Sequence, residues 1–495
     1  MLAATVAAAG LCCQAEKLVI LHTNDTHSQI DPDAETGLGG VARRQVVIDS
    51  VRAEHPDETL IIDLGDVVQG SLFFNLYRGE VEEKLMNALG YDLRILGNHE
   101  FDNGMQALAD NLAEAEALRL CANYNTVDTP LEGVFIPWAV HYGGKKIAFM
   151  PINLQPKGMI SARNVEGMGY ADAVEAANNM AWYLKNIENF DYVVALTHIG
   201  YAADTALIHR STDIDLLLGG HSHTLIDPAN PKSVPHVVKN AEGRDVVVAQ
   251  AGRKGLYVGE VVIDIDNLDA LPQSRLIPID SRLDDRINPV IEEIIAPYRA
   301  EVDALNSNYI ARTAAAMPKD SHELLNFVAD FVDWRGRQLT EGVDLAIVNK
   351  GGIRNSLPKG KVAQGQLITM LPFFNKIQVI ELPGSQLIKA FDVMAAAGGN
   401  GVSGNVQAIF DPATNKCVEI TISGQQIDPN KTYRLATIDY LAEGGDYMQP
   451  LVDHTLVAES PTYMFEDIAT YFLSGPGKGK AVKSSGKARM APVSK

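Results

Sequence analysis

Ile95-Leu96-Gly97-Asn98-His99-Glu100-Phe101-Asp102 is the stretch whose reading decides the fold. An apolar run stops at a glycine, and an amide, an imidazole and two carboxylates follow at once. Polar groups at the end of a buried strand are costly unless each finds a partner. Taken alone, the stretch reads as a turn with a hydrogen-bonded histidine. Four other apolar runs end the same way. Leu18 to Leu21 leads into Asp25 and His27, and Leu60-Ile61-Ile62 runs into Asp63-Leu64-Gly65-Asp66. Tyr192-Val193-Val194-Ala195-Leu196 ends in Thr197-His198, and Leu216-Leu217-Leu218-Gly219-Gly220 ends in His221-Ser222-His223.

Continuous apolar runs suit strands buried on both faces. Helical patterns around 79–89, 104–117 and 170–188 separate several of them. Alternating strand and helix predicts an α/β layered fold. In open α/β sheets ligands bind outside the C-terminal ends of the strands. Five strands that each deliver Asp, Asn or His at that end therefore point to one shared site, because chance placement would scatter polar residues over both ends. The candidate ligands are Asp25, His27, Asp66, Asn98, His198, His221 and His223. That is too many donors for one tetrahedral ion and suits two ions that share a carboxylate. Nitrogen and oxygen donors without a thiolate favour Zn, Mn, Fe or Co over Ca or Mg, with Zn or Mn the first expectation.

Asp25-x-His27, Gly65-Asp66, Gly97-Asn98-His99-Glu100, Thr197-His198 and Gly220-His221-x-His223 resemble the metallophosphoesterase signature in order and approximate spacing. His22-Thr23-Asn24-Asp25 and Gly97-Asn98-His99-Glu100-Phe101-Asp102 resemble, within it, the secreted 5′-nucleotidases and UDP-sugar hydrolases. The resemblance implies a four-layer α/β/β/α sandwich. It implies that Asp25, His27, Asp66 and His223 hold one divalent metal ion, and that Asp66, Asn98, His198 and His221 hold a second. His99 with Asp102 is the implied catalytic dyad, and Glu100 is expected to hold the loop. The best-known nucleotidases carry an amide where His223 stands.

Residues 16–284 are expected to form this catalytic domain, with Asp245 to Gly252 and Val258 to Ile265 as further strands and Pro272 to Asp285 as an irregular stretch. Residues 285–311 read as a linker whose helix carries Val290, Ile291, Ile294 and Ile295 at helical spacing. A hinge is expected there. In residues 312–474 an amphipathic helix over 323–339 precedes the strand Asp344 to Val348, which runs into Asn349-Lys350-Gly351-Gly352-Ile353-Arg354. Leu371-Pro372-Phe373-Phe374-Asn375 and Tyr440-Leu441-Ala442-Glu443-Gly444-Gly445-Asp446 follow. These three segments resemble the α/β substrate-binding C-terminal domain of 5′-nucleotidases. The resemblance implies that Phe373 and Tyr440 clamp a base, Asn349 and Asn375 meet it, Asp446 takes the ribose hydroxyls and Arg354 pairs with phosphate. Tyr440 stands where most relatives have Phe. The family's other phosphate-binding arginines are missing: Met317 to His322 offers only Lys319 and His322. Residues 475–495, poor in large apolar groups, read as a flexible basic tail.

With 495 residues the chain exceeds a single core. A formal net charge of −20 argues against a nucleic-acid polymer as partner. Residues 1–15 are small and apolar and read as a signal peptide, too short to span a bilayer. That predicts a periplasmic or extracellular protein, monomer or dimer, without a transmembrane span. Cys12 or Cys13 is a candidate for a lipid anchor, although Leu11 sits badly before one. Cys121 and Cys417 are too few and too far apart for a disulfide framework. The expected activity is release of the 5′-phosphate from a nucleotide by metal-activated water. UDP-sugar or 2′,3′-cyclic-nucleotide hydrolysis at the same site is the alternative. A non-catalytic nucleotide-binding surface protein is the third reading, disfavoured because every expected ligand position is filled.

Overall fold

The computed structural model describes residues 17–493. The segment read as a signal peptide, with Cys12 and Cys13, lies outside the described residues. The chain divides into two compact units, one comprising the chain up to Pro156 with Asn164–Tyr298 and the other Lys157–Arg163 with the chain from Arg299 onward. The division falls inside the helix Pro289–Ser307, one residue after Pro297, within the stretch read as a linker.

The first unit is built on two six-stranded sheets. In the first, β1 (Lys17–Thr23), β2 (Thr59–Asp63) and β3 (Leu93–Arg94) run parallel, and Leu118–Arg119 continues the set. In the second, β4 (Tyr192–His198) and β5 (Leu216–Leu218) run parallel to each other and to Lys146–Asn153 and Asp245–Ala249. Side chains alternate across each strand. Leu18, Ile20, Ile62, Val194, Leu196, Leu216 and Leu218 meet between the sheets in one core. The residues between them face outward. Val193, Ala195 and Leu217 pack on the helix Ala173–Asn186, through Ala177, Ala181 and Leu184, and on Leu207 and Ile208. Burial on both faces explains why the runs are apolar throughout. The architecture is the expected four-layer sandwich.

Residues 272–285 depart from the irregular stretch predicted. Gln273–Pro278 forms an edge strand antiparallel to Tyr257–Asp264, which itself pairs antiparallel with β1. Its half-exposed, mixed-polarity side chains are what an edge permits, and they hid it from a search for apolar runs.

The second unit has a five-stranded sheet ordered Gly401–Val402, Leu345–Val348, Thr432–Ile438, Lys376–Pro383, Thr455–Tyr463. The amphipathic helix is His322–Leu339, capped by the Ser321 hydroxyl, which accepts from the Leu324 N–H at 3.2 Å. Leu324, Val328, Phe331 and Val332 are buried in the core against this sheet.

Residues 475–493, read from composition as a flexible basic tail, are ordered in the structure. Met490–Pro492 pairs in parallel with Val406–Asp411, and Met490 is buried. Arg489 forks onto Asp330 at 2.6 and 2.7 Å. The Asn326 amide donates to the carbonyls of Ser485 and Lys487. Backbone pairing and one buried methionine anchor a segment whose average hydrophobicity is too low to reveal it.

No helix among the described residues is long and apolar enough to cross a membrane. Cys121 and Cys417 are both free thiols.

Candidate metal centre and nucleoside pocket

The strands of the first unit deliver the predicted side chains to one place. Asp25, His27 and His223 have ligand atoms within 4.8 Å of one another, as do Asp66, His198 and His221. A third group, His27, Asp66 and His99, joins the two. His223 Nε2 lies 3.4 Å from Asp25 Oδ1 and 2.9 Å from His27 Nε2. His198 Nε2 lies 3.3 Å from Asp66 Oδ2. Asn98 Oδ1 is 3.0 Å from His221 Nδ1, so all seven expected ligands converge.

Backbone geometry aims these side chains. Asp25, His27, Asp66, His221 and His223 are all left-handed, with φ between 48° and 75°. Asp and His tolerate this region better than most residues, yet such positions persist only where neighbours hold them. Here the loops hold each other: Asp25 N–H donates to Gly65 O at 2.9 Å, His27 N–H to Asp66 O at 3.0 Å, and His221 N–H to the Asp25 carboxylate at 2.9 Å. Gly97 has no substitute, since a Cβ there would sit 2.2 Å from Asp66 Oδ1. Gly65, at φ 89°, would bring a Cβ to 2.4 Å from Gly97 N.

The donor set fits divalent cations. His198 Nδ1 lies 2.6 Å from the Leu64 carbonyl, to which it donates. Its buried Nε2 then faces Asp66 at 3.3 Å and Asp25 at 4.0 Å. A ring nitrogen turned toward two carboxylates calls for positive charge there, which a proton or a cation can supply. The same demand raises the His198 pKa to about 10: burial opposes it, and Asp66 and Asp25 outweigh burial. Burial would also raise Asp66, but His198, His99 and His27 hold it well below the carboxylate range. His221 is pushed down to about 4, first by burial and then by His198.

The 3₁₀ turn His99–Phe101 stacks His99 and Asp102 three residues apart, with Nδ1 and Oδ2 at 2.9 Å. The His99 ring also lies edge-on to His27, centroids 5.3 Å apart, so it adjoins the ligand cluster. Glu100 is nearly fully buried and accepts from three backbone amides: Asp66 N at 3.0 Å, Val67 N at 2.8 Å and Gly97 N at 2.6 Å. Sequence reading missed Asn24, whose amide donates to Asp25 Oδ2 at 2.6 Å and accepts from Ala251 N at 2.8 Å. Asn24 stands in the His22-Thr23-Asn24-Asp25 motif, which gave the signal but no role for it.

In the second unit Asn349, Phe373 and Asn375 line a small, partly open cleft with Val348, Gly352 and Met464. Arg354, Tyr440 and Asp446 lie outside its lining. The Arg354 guanidinium sits 5.7 Å over the Phe373 ring. Asp446 Oδ2 accepts from the Asn349 amide at 2.6 Å, and its Oδ1 from the Tyr440 hydroxyl at 3.0 Å.

Two packed sheets with this Asp/Asn/His cluster at the strand ends define a calcineurin-like phosphoesterase, and that family matches residues 18–225. The 5′-nucleotidase C-terminal domain family matches residues 300–453. The chain belongs to the family that joins these two domains, the 5′-nucleotidases. A solved 5′-nucleotidase precursor from Thermus thermophilus superposes with a TM-score of 0.85 at 28% identity, covering 97% of this chain and all of that one. The human 5′-nucleotidase is 26% identical over 92% of this chain and 88% of its own length. A trifunctional nucleotide phosphoesterase of Bacillus subtilis is 28% identical over 87% of this chain, which spans 32% of that protein.

Proposed function

We propose that the chain is a dinuclear metal-dependent 5′-nucleotidase that works in the periplasm or outside the cell. The observation that carries this reading is the convergence of seven oxygen and nitrogen donors in which Asp66 belongs to two ligand groups. Asp25, His27, Asp66 and His223 would hold one ion and Asp66, Asn98, His198 and His221 the other, with Zn or Mn suited to the donors. When bound, two such ions supply charge for the phosphate oxygens and acidify an attacking water. His99, oriented by its 2.9 Å contact with Asp102, would balance charge in the transition state and give a proton to the leaving 5′-oxygen. Glu100 fixes the Asp66 and Gly97 amides, and so the loops that carry the ligands.

In the second unit the base would stack on Phe373, with Tyr440 as the second ring and Asn349 and Asn375 meeting its edge. Asp446 would take the ribose hydroxyls, and Arg354 a phosphate. The names of the human and Thermus relatives support the substrate class. The extracellular setting draws support from the snake-venom 5′-nucleotidases that also match. The Bacillus name, a trifunctional nucleotide phosphoesterase, favours a second reading, in which the same site acts on further nucleotide phosphoesters; UDP-sugars and 2′,3′-cyclic nucleotides are the ones to test.

The test compares kcat/KM for AMP, UDP-glucose and 2′,3′-cyclic AMP with added Mn or Zn, in wild type and His99→Ala. AMP is expected to lead. His99→Ala should lose about two to four orders of magnitude in kcat with metal content unchanged. No phosphate release from any substrate, or near-normal turnover by the variant, overturns the assignment.

A further inference from the structure

The short segment Lys157–Arg163, which interrupts the sequence of the first unit, packs as part of the second. It grips the turn 439–447 at both ends. The Gly158 carbonyl accepts from Asp446 N–H at 2.9 Å and lies 3.1 Å from the Tyr440 hydroxyl. Gly158 has φ +83°, and a Cβ there would come within 2.9 Å of the Tyr447 ring, so only glycine seats the strap this closely. The Ser161 hydroxyl donates to Glu443. Arg163 pairs with Asp439 and lies 3.6 Å from Glu443. Asp439 is fully buried, and its other oxygen accepts the Tyr440 N–H at 2.8 Å.

The turn held in this way carries Tyr440 and Asp446, the proposed partners of base and ribose. Its own contacts, the Tyr440 hydroxyl on Asp446 Oδ1 and the buried Leu441 and Ala442, hold only part of it: its helix, Asp439–Ala442, is a single turn, and Asp446 and Tyr447 are consecutive left-handed residues at φ 50° and 60°. An ion pair between an exposed Arg163 and a buried Asp439 adds little net stability after the carboxylate is desolvated, but it fixes geometry. We propose that the strap Lys157–Arg163 is a specificity element of the nucleoside pocket, in which Arg163 is a positioning residue that sets Tyr440 through Asp439. The proposal rests on the nucleotidase reading. A phosphoester without a nucleoside has nothing to gain from the turn, so the strap acts on nucleosides alone.

The experiment measures AMP turnover, glycerol phosphate turnover and calorimetric binding of adenosine to the metal-loaded protein. Arg163→Ala should raise KM for AMP and Kd for adenosine about tenfold, the order expected when a base loses one stacking ring. Its kcat for AMP and its kcat/KM for glycerol phosphate should stay within about twofold, and Arg163→Lys, which keeps the charge but not the fork shared by Asp439 and Glu443, should recover only part of the loss. The double variant Arg163→Met, Asp439→Asn removes the pair without leaving a buried charge and should show the same selective loss. Unchanged adenosine affinity in both variants, or equal losses on both phosphoesters, overturns the role of the strap. A wild type that neither binds adenosine nor prefers AMP overturns the nucleotidase reading beneath it.

Discussion

Glu100→Gln tests whether the two loops nearest the shared carboxylate are tied from below. Oε2 of Glu100 accepts from Asp66 N and Gly97 N, and Oε1 accepts from Val67 N. Burial and the Asp66 charge push the Glu100 pKa upward, while Arg94 and His198 pull it down. Three amide donors and no acceptor decide in favour of the ionised form, since a proton would have no partner. Glutamine offers a single acceptor oxygen. Turned toward Asp66 and Gly97, it sets its NH₂ against the Val67 N–H; turned the other way, it abandons two amides. The lesser loss is one hydrogen bond to a charged acceptor, about 1.5–3 kcal/mol, plus a buried unpaired donor at about 1–3 kcal/mol. Arg94 keeps Glu83 at 2.6 Å, which limits the electrostatic penalty. The expected loss is therefore about 3 kcal/mol of unfolding free energy in chelator, read from urea denaturation. Because Asp66 N keeps only a neutral acceptor and the adjoining Val67 N loses its own, the variant should also release metal faster on dialysis against chelator. A loss under about 0.5 kcal/mol, the range of an inert surface change, with metal retention unchanged would refute the reasoning.

Glu82 gives a pH signature. Its burial lifts its pKa from 4.5 to about 7, with the Ser28 hydroxyl pulling the other way. A raised folded-state pKa means stability that is complete below about pH 4.5 and lost as pH climbs through about 7, a total of about 3 kcal/mol. Stability measured from pH 4 to 8 should therefore fall less steeply in Glu82→Gln than in wild type; parallel curves would dismiss the assignment. Met490→Ala addresses the chain end: truncating this buried side chain should cost about 2 kcal/mol or more in thermal or urea unfolding. A free tail would show no change.

What the sequence made legible were features repeated along it. Each apolar run with a polar end marks a strand whose two faces are both covered, so composition alone exposes it. The ligand residues followed because every one stands within a few positions of such an end. Gln273–Pro278 escaped because an edge strand needs no apolar run. The strap escaped because its partners, Asp439 and Glu443, lie some 280 residues away, and nothing in Lys157–Arg163 is periodic. The C-terminal strand escaped for a related reason: it buries Met490, and the rest of its hold is backbone pairing and polar contacts to distant residues, Arg489 to Asp330 and Asn326 to Ser485 and Lys487.

The left-handed backbone of the ligand loops was not legible either, and it bears most on how the centre works. Five of the seven ligand residues occupy that region. At about 1–3 kcal/mol each, such strain approaches the net stability of a whole domain. Asp and His lessen the cost, but it cannot be met within each loop, because each strained residue is satisfied by another loop: Asp25 by Gly65, His27 by Asp66, His221 by Asp25. The frame must therefore come from groups that span loops and do not themselves bind the ions. Glu100 beneath Asp66 and Gly97 is one, and Asn24 between Asp25 and Ala251 is another. Cations arriving at such a site would find donors already pointed at them, so their binding energy would be available for polarising a phosphate instead of folding the loops. Gly97 belongs to this frame: it has no side chain because the carboxylate of Asp66 occupies the space one would fill.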